Sequence, residues 1–115
     1  IRVTFCLKKK TSSLIIPFYC VCVFRFAVSL LCGPQPDRAS VAFQFSPRFD
    51  MAWAIRNAKL NQEWGEEEGE SLSPFPFSSQ QSFTLEIFTS PEAYLVTLSC
   101  SLLCRFHCCQ FIHSF

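Results

Sequence analysis

Hydrophobic and polar residues alternate within residues 41–49 of the chain. The alternating positions are Phe43, Gln44, Phe45, Ser46, Arg48 and Phe49. On a β-strand, side chains two residues apart point to the same face. We therefore expect the glutamine, serine and arginine to form one polar row and the phenylalanines to lie on the opposite face.

Similar alternation predicts further strands elsewhere in the chain. The stretches are residues 24–31, 40–45, 53–58, 82–88 and 93–98, with Pro47 closing its strand or lying at an edge. Between them we expect a loop at 59–65, with Asn61 and Gly65 as turn formers. The acidic run 66–70 predicts a strand end or a loop, and the Pro/Ser-rich stretch 71–79 predicts neither a helix nor a central strand. Short strands separated by turns, without a helical stretch, indicate an antiparallel sandwich or barrel.

Composition limits the chain to one domain and divides it into three parts. It has 115 residues, half of them apolar, and a net charge of +1, which gives no general case for nucleic-acid binding. All acidic residues lie between Asp37 and Glu92, whereas all cysteines lie outside residues 33–99. The middle of the chain therefore differs chemically from both ends.

The N-terminal part has features of a membrane-targeting segment. Three lysines, residues 8–10, precede an apolar run at 14–24 that has about the length of a signal-peptide core. Extended to Cys32, the run is about long enough to span a bilayer. Pro17 and Arg25 argue against this, because an arginine near the bilayer centre costs roughly 2.5–3.5 kcal/mol. We expect no signal peptide or anchor at residues 8–32, although a small membrane-anchored or secreted cysteine-rich protein stays an alternative.

The C-terminal part contains several side chains that can bind metals. They are Cys100, Cys104, His107, Cys108, Cys109 and His113. Their spacing fits none of the usual zinc-ligand pairings, and disulfides would need an oxidising compartment. The sequence shows no nucleophile beside a base and no phosphate-binding loop. We therefore expect no metal, no cofactor and no enzymatic activity.

Several motifs, in order along the chain, resemble a galectin carbohydrate-recognition domain. They are residues 24–33, residues 41–49, Asn57, the sequence Trp64-Gly65-Glu66-Glu67, residues 75–77 and residues 82–87. The resemblance implies an all-β fold, an antiparallel two-sheet jelly-roll β-sandwich of the galectin or concanavalin A type. It also implies a β-galactoside groove across one concave sheet. It covers residues 24–98, so we expect the apolar and basic segment 1–23 and the Cys/Phe-rich tail 99–115 to lie outside a domain that is incomplete at both ends.

The resemblance also implies which residues bind the sugar. The family pattern His-x-Asn-Pro-Arg reads Gln44-Phe45-Ser46-Pro47-Arg48 here, and the complete carbohydrate-binding set is Arg48, Asn57, Trp64, Glu67, Gln44 and Ser46. The forked guanidinium of Arg48 suits a hydroxyl and a ring oxygen. The indole of Trp64 suits the apolar C–H side of galactose. Glu67 corresponds to a glutamate that orients arginines and accepts a hydrogen bond from a hydroxyl.

Three departures from the pattern create a second hypothesis. Gln44 replaces the histidine, Ser46 replaces the asparagine, and Gly69 stands where the family has a later arginine. The segment between Arg48 and Asn57 is also shorter than in typical members. These departures resemble galectin-related proteins, some of which have lost lactoside binding. The chain is then a lectin or a galectin-related module that acts through protein contacts.

The same resemblance suggests partners and a location. We expect β-galactoside glycans or glycoproteins as partners, a homodimer, and neither nucleic acid nor membrane as a partner. Cytoplasmic and extracellular locations, reached by non-classical secretion, are implied. Structural alternatives for the motif residues are an Arg48–Glu67 pair, core packing of Trp64, a strand-end turn at Asn57, and a core or loop-anchor position for Trp53.

Overall fold

Two β-sheets form the described structure. The computed structural model describes residues 2–6, 12–18, 26–32, 40–77, 82–90, 92–98 and 101–107, and these contain no helix. The strands are β1 (Arg2–Cys6), β2 (Ser12–Phe18), β3 (Ala27–Cys32), β4 (Ser40–Arg48), β5 (Trp53–Leu60), β6 (Glu63–Trp64), β7 (Glu68–Ser71), β8 (Phe83–Thr89), β9 (Ala93–Leu98) and β10 (Ser101–His107). In these residues, no helix has the length and hydrophobicity that a membrane crossing requires.

The strands are arranged in two layers. Sheet A has the order β1-β3-β4-β5-β6, with β7 also paired to β5, and sheet B has the order β10-β9-β8-β2. The described pairs are antiparallel except β1 and β3, which run parallel. The expected all-β two-sheet class is confirmed, with this one parallel pair as a local departure.

Aromatic and aliphatic side chains from both sheets meet in the core. Phe43 and Phe45 of β4 have no exposed surface, and neither does Tyr94 of β9. The ring of Phe43 is stacked on that of Tyr94, with the centroids 4.8 Å apart. The phenylalanines of β4 therefore face sheet B, on the side predicted from the alternation.

The chain near Pro47 differs from the prediction. Strand β4 continues through Pro47 to Arg48 instead of closing at the proline. Its pairing with β3 stops at Val28 and Phe45, whereas Pro47 is still paired with Ala54 of β5. A proline, which has no backbone N–H to donate, is tolerated here because β4 is paired at this position only with β5 and not with β3.

The predicted loop at 59–65 is instead a tight hairpin. Strand β5 continues to Leu60, and β6 starts at Glu63. The two residues between them, Asn61 and Gln62, have φ angles of 50° and 67°. Two positive φ values match the strand twist in a two-residue hairpin, and asparagine tolerates this conformation well. The acidic run then forms β7, with Glu68 to Ser71 paired to β5.

Strands also occur at both ends of the chain, where we expected none. Strands β1 and β2 lie within residues 1–23, and β10 lies within 99–115. In β10, Cys104 and Phe106 are buried whereas Arg105 and His107 are exposed, which is the alternation of a half-buried strand. Strands β2 and β3 belong to different sheets. The stretch weighed as a membrane anchor therefore contains two separate strands.

Candidate functional site

A groove lies on the face of sheet A that points away from sheet B. Its volume is about 320 Å³, and it is lined by Gln44, Ser46, Arg48, Ile55, Asn57, Trp64 and Glu67. All six residues of the predicted carbohydrate-binding set are in this lining. Ile55 was not predicted, because an apolar residue between Ala54 and Arg56 carries no polar signal in the sequence.

Strand register explains why the polar residues meet. Gln44 is directly opposite Asn57, and Ser46 is directly opposite Ile55. Arg48 is opposite Trp53, which is the first residue of β5. Since directly opposed residues point to the same face of a sheet, these pairs form three adjacent rows across the groove.

Arg48 has a donor group without a partner. Its Nε is buried and makes no hydrogen bond among the residues that the structure describes. The single ion pair in that part of the chain joins Arg56 to Glu70, so the alternative Arg48–Glu67 pair is absent from it. Leaving a buried donor unsatisfied costs about 1–3 kcal/mol. An oxygen atom of a ligand in the groove would remove this cost.

Gln44 is held in place from the neighbouring strand. Its Nε2 donates a hydrogen bond to Oγ of Ser29 on β3, at 3.1 Å. Ser29 is buried and lies opposite Gln44 in the sheet register. This bond uses a donor of the amide and leaves its oxygen as an acceptor for a hydroxyl group.

Asn57 positions the backbone beside the exposed tryptophan. Its Nδ2 donates to the carbonyl oxygen of Gly65 at 3.0 Å, and its Oδ1 accepts from the backbone N–H of Ala58 at 2.8 Å. Asn57 lies within β5 and not at a strand end. Its amide is therefore largely engaged in fixing the segment that follows Trp64.

Trp64 lies at the surface and not in the core. Its side chain is 46% exposed and lines the groove. Lys59 lies opposite it on β5, with Nζ 5.8 Å from the centroid of the indole ring. A cation at this distance contributes about 0.5–1 kcal/mol at an exposed site. The core-packing alternative for Trp64 is wrong, and a broad aromatic surface is available beside the groove.

The position of the missing family arginine is filled by other side chains. A Cβ atom at Gly69 would lie 2.8 Å from Cε3 of Trp53 and 2.9 Å from Cδ1 of Ile55. Both distances are shorter than real contacts, so a larger residue at 69 would displace these side chains. Trp53 is 38% exposed. It covers Gly69 at the surface and is not a core residue.

A second cavity lies beyond Trp64. Its volume is about 530 Å³, and it is lined by Asn57, Ala58, Leu60, Asn61, Glu63, Trp64, Gly65, Glu66, Glu68, Phe106 and His107. It is larger than the groove but does not contain Arg48. We did not predict it because its wall includes β10, which we expected to lie outside the domain.

The opposite face of β5 carries a charged cluster. Arg56 is buried, and its Nη1 donates to Oε1 of Glu70 at 2.6 Å. Burial works against the charge of Arg56, but its interactions with Glu70 and with the thiol of Cys104 outweigh this and raise its pKa. Burial in turn raises the pKa of Cys104 from 9.0 to about 11, although the nearby guanidinium opposes the shift. This cluster ties β5 to β7 and to β10 of the other sheet.

The zinc alternative has no support in the described strands. Within them, no three His, Cys, Asp or Glu side chains are grouped closely enough to hold a metal. Cys104 is buried and His107 is exposed, three residues apart on one strand. The other candidates, Cys100, Cys108, Cys109 and His113, lie outside the described residues.

Comparisons with known proteins agree on one family. The family described as galactoside-binding lectins matches residues 22–111. Galectin-6 of Mus musculus is 40% identical over 77 residues, which is 65% of this chain and 24% of that protein. A 32 kDa beta-galactoside-binding lectin of Caenorhabditis elegans is 32% identical over 78 residues, 62% of this chain and 26% of that protein. The chain thus spans about a quarter of the length of these relatives.

Solved structures show the same fold. Sheep galectin-11 in complex with glycerol superposes with a TM-score of 0.73 at 16% identity, covering 88% of this chain and 74% of that one. At this identity the likeness concerns the fold alone. It agrees with the two-sheet architecture described above.

Proposed function

Because the chain belongs to the galactoside-binding lectin family, we propose that its groove binds β-galactosides without catalysing a reaction on them. The observation that carries the proposal is the buried, unpartnered Nε of Arg48 in a groove that all six predicted residues line. A sugar hydroxyl or ring oxygen would accept the hydrogen bond that the protein leaves unmade.

The lining residues suit the two kinds of surface that galactose has. The exposed indole of Trp64 would pack against the apolar C–H face of the ring. The carboxylate of Glu67 and the free amide oxygen of Gln44 would accept hydrogen bonds from hydroxyl groups. Arg48 would donate from its planar fork. Together these contacts favour a ring with a polar edge and an apolar face.

We expect the affinity to be weak. Asn57 already donates a hydrogen bond to Gly65 and Gln44 already donates one to Ser29, so both have fewer groups left for a sugar. Gly69 contributes no side chain. One hydrogen bond to a charged group contributes about 1.5–3 kcal/mol and aromatic stacking about 0.5–1.5 kcal/mol. Together these contacts correspond to a Kd of roughly 0.5 mM or weaker.

Calorimetric titration of the 115-residue chain with lactose tests the proposal. Cellobiose is the matched ligand control, because it differs from lactose only in the configuration of one hydroxyl-bearing carbon. We expect heat of binding with lactose and none with cellobiose. Replacing Arg48 by Met should weaken lactose binding by about tenfold or more.

Arg105→Met is the matched protein control. Arg105 is an exposed arginine on β10 of sheet B, outside the groove lining. This variant should bind lactose as the unaltered chain does. Equal binding of both disaccharides, or equal losses in the two arginine variants, would contradict a galactoside site at Arg48.

A second candidate function is protein binding without sugar affinity. The observation that favours it is the covered Gly69, where Trp53 and Ile55 occupy the space of a polar side chain. A glycan array separates the two candidates. Binding to galactose-terminated glycans supports the lectin, whereas a blank array with a cooperatively folded chain supports the protein-binding module.

The family relationship also suggests assembly and location. We propose glycoproteins as the natural partners and a homodimer as the assembled form. Sedimentation velocity over a concentration series would detect the dimer. We further propose cytoplasmic and extracellular pools that arise without a signal peptide, which fractionation of cells and medium would test.

A further inference from the structure

Trp53 presents an aromatic surface at the Arg48 end of the groove. Its indole lies over Gly69, with Cε3 2.8 Å and Cζ3 3.1 Å from the position of a Cβ there. It lies opposite Arg48 in the sheet register, and more than a third of it is exposed. Large exposed aromatic residues on a polar face are available for contacts with a ligand.

The two tryptophans of the chain lie at opposite ends of this face. Trp64 lies opposite Lys59, and Lys59 is six residue steps from Trp53 along β5. At about 3.3 Å per residue this is roughly 20 Å along the backbone. The gap between the two indole rings is smaller than this backbone distance when the side chains extend towards each other. A single pyranose ring stacked on Trp64 would not reach Trp53.

We propose that Trp53 is a second aromatic contact, which stacks on the sugar ring linked to the galactose. This inference rests on the proposed function of the groove. Trp53 and Ile55 cover Gly69 with apolar atoms, so the surface above Gly69 offers C–H contacts. Arg48 lies opposite Trp53 as a donor beside this surface. A neutral second ring, which has both C–H groups and hydroxyls, fits this surface.

Comparing two ligands tests the proposal. Methyl β-galactoside has one ring and lactose has two, and NMR titration measures both affinities. We expect Trp53→Ala to weaken lactose binding by about tenfold, which is about 1.4 kcal/mol, and to leave methyl β-galactoside binding unchanged. Trp64→Ala should weaken both. Phe88→Ala, which removes an exposed aromatic residue of β8 in sheet B, should weaken neither.

Fluorescence provides a readout that does not require truncation of Trp53. The chain has two tryptophans, so the Trp64→Phe variant leaves Trp53 as its sole indole. Phenylalanine keeps an aromatic face for the galactose. We expect saturating lactose to shift the Trp53 emission and saturating methyl β-galactoside to leave it unchanged.

The outcomes separate this inference from the proposed function. If the unaltered chain binds neither ligand, the proposed function fails and the role of Trp53 fails with it. If it binds both and Trp53→Ala weakens neither or weakens both equally, the groove is a galactoside site but Trp53 is not a second contact. An unshifted Trp53 emission at saturating lactose overturns the inference in the same way.

Discussion

The two faces of strands β4 and β5 each hold an arginine, and the two arginines differ in whether the protein supplies a carboxylate partner. Arg56 points between the sheets, where its guanidinium is bonded to Glu70 at 2.6 Å and lies near the thiol of Cys104. Arg48 lines the groove on the other face, and its buried Nε has no partner in the described residues. Both arginines leave a buried Nε without a partner, but only Arg56 has an ion pair among the described residues.

The difference distinguishes a structural arginine from one available to a ligand. A buried cation needs a partner within the fold, because an uncompensated charge is strongly destabilising. Glu70 gives Arg56 that partner and thereby holds β7 against β5. The unmade bond of Arg48 lowers the stability of the free protein slightly and can be recovered by a ligand. Loss of the partner of Arg56 should therefore lower the stability strongly, whereas replacement of Arg48 should change it little.

The largest effect is expected on the inner face. Replacing Glu70 by Ala leaves Arg56 charged and without its carboxylate. Removing one partner of a buried pair costs roughly 3–5 kcal/mol, and since half of the Glu70 side chain is exposed, we expect about 3 kcal/mol. Urea denaturation would measure this as a lower midpoint with an unchanged slope.

Glu92→Ala is the control for this variant. Glu92 is an exposed glutamate between β8 and β9 and has no ion pair among the described residues. Its removal should change the free energy of unfolding by less than about 0.5 kcal/mol. Similar losses in both variants would show that Arg56 does not depend on Glu70.

A pH-dependent effect of intermediate size is expected from Cys104. Its pKa is raised to about 11 in the folded chain, against an ordinary value of 9.0. The unfolded chain therefore loses this proton first, so the contribution is complete below pH 9 and is lost as the pH rises through about 11. The full loss is roughly 2–3 kcal/mol.

The difference between the unaltered chain and Cys104→Ala isolates this effect. Other groups titrate in the same pH range in both proteins, so their contributions cancel. The stability difference should be constant below pH 9 and should fall between pH 9 and 11. A difference that stays constant to pH 11 would mean that burial does not raise the pKa of the Cys104 thiol against the opposing effect of the Arg56 guanidinium.

Much of this arrangement could be predicted from the sequence because it follows from local alternation. The phenylalanines of β4 and the polar row beside them identify both faces of one strand, and this result is confirmed. Strands β8 and β9 follow from the same pattern within about one residue of their observed bounds. Strand β10 was missed because residues 99–115 depart from the family pattern, although Cys104 and Phe106 alternate with Arg105 and His107.

Features that depend on contacts between distant residues could not be predicted. The six groove residues were found from the family pattern, but the role of Trp53 depends on its contact with Gly69, 16 positions away in sequence. The Arg56–Glu70 pair depends on the register between β5 and β7. The acidic run does not indicate which of its glutamates would pair with Arg56. The sequence likewise did not predict that Arg56 has a carboxylate partner and Arg48 lines a groove, because both are arginines in alternating runs.

The smallest change in stability is expected for Arg48→Met, on the groove face. The substitution removes the unpartnered Nε and replaces it with an apolar chain of similar length. Since no described bond is lost and a buried unsatisfied donor disappears, the free energy of unfolding should stay within about 0.5 kcal/mol or rise slightly. Urea denaturation without sugar measures it, beside Glu70→Ala under identical conditions. A loss as large as that of Glu70→Ala would mean that Arg48 also supports the fold, and the distinction between the two arginines would then fail.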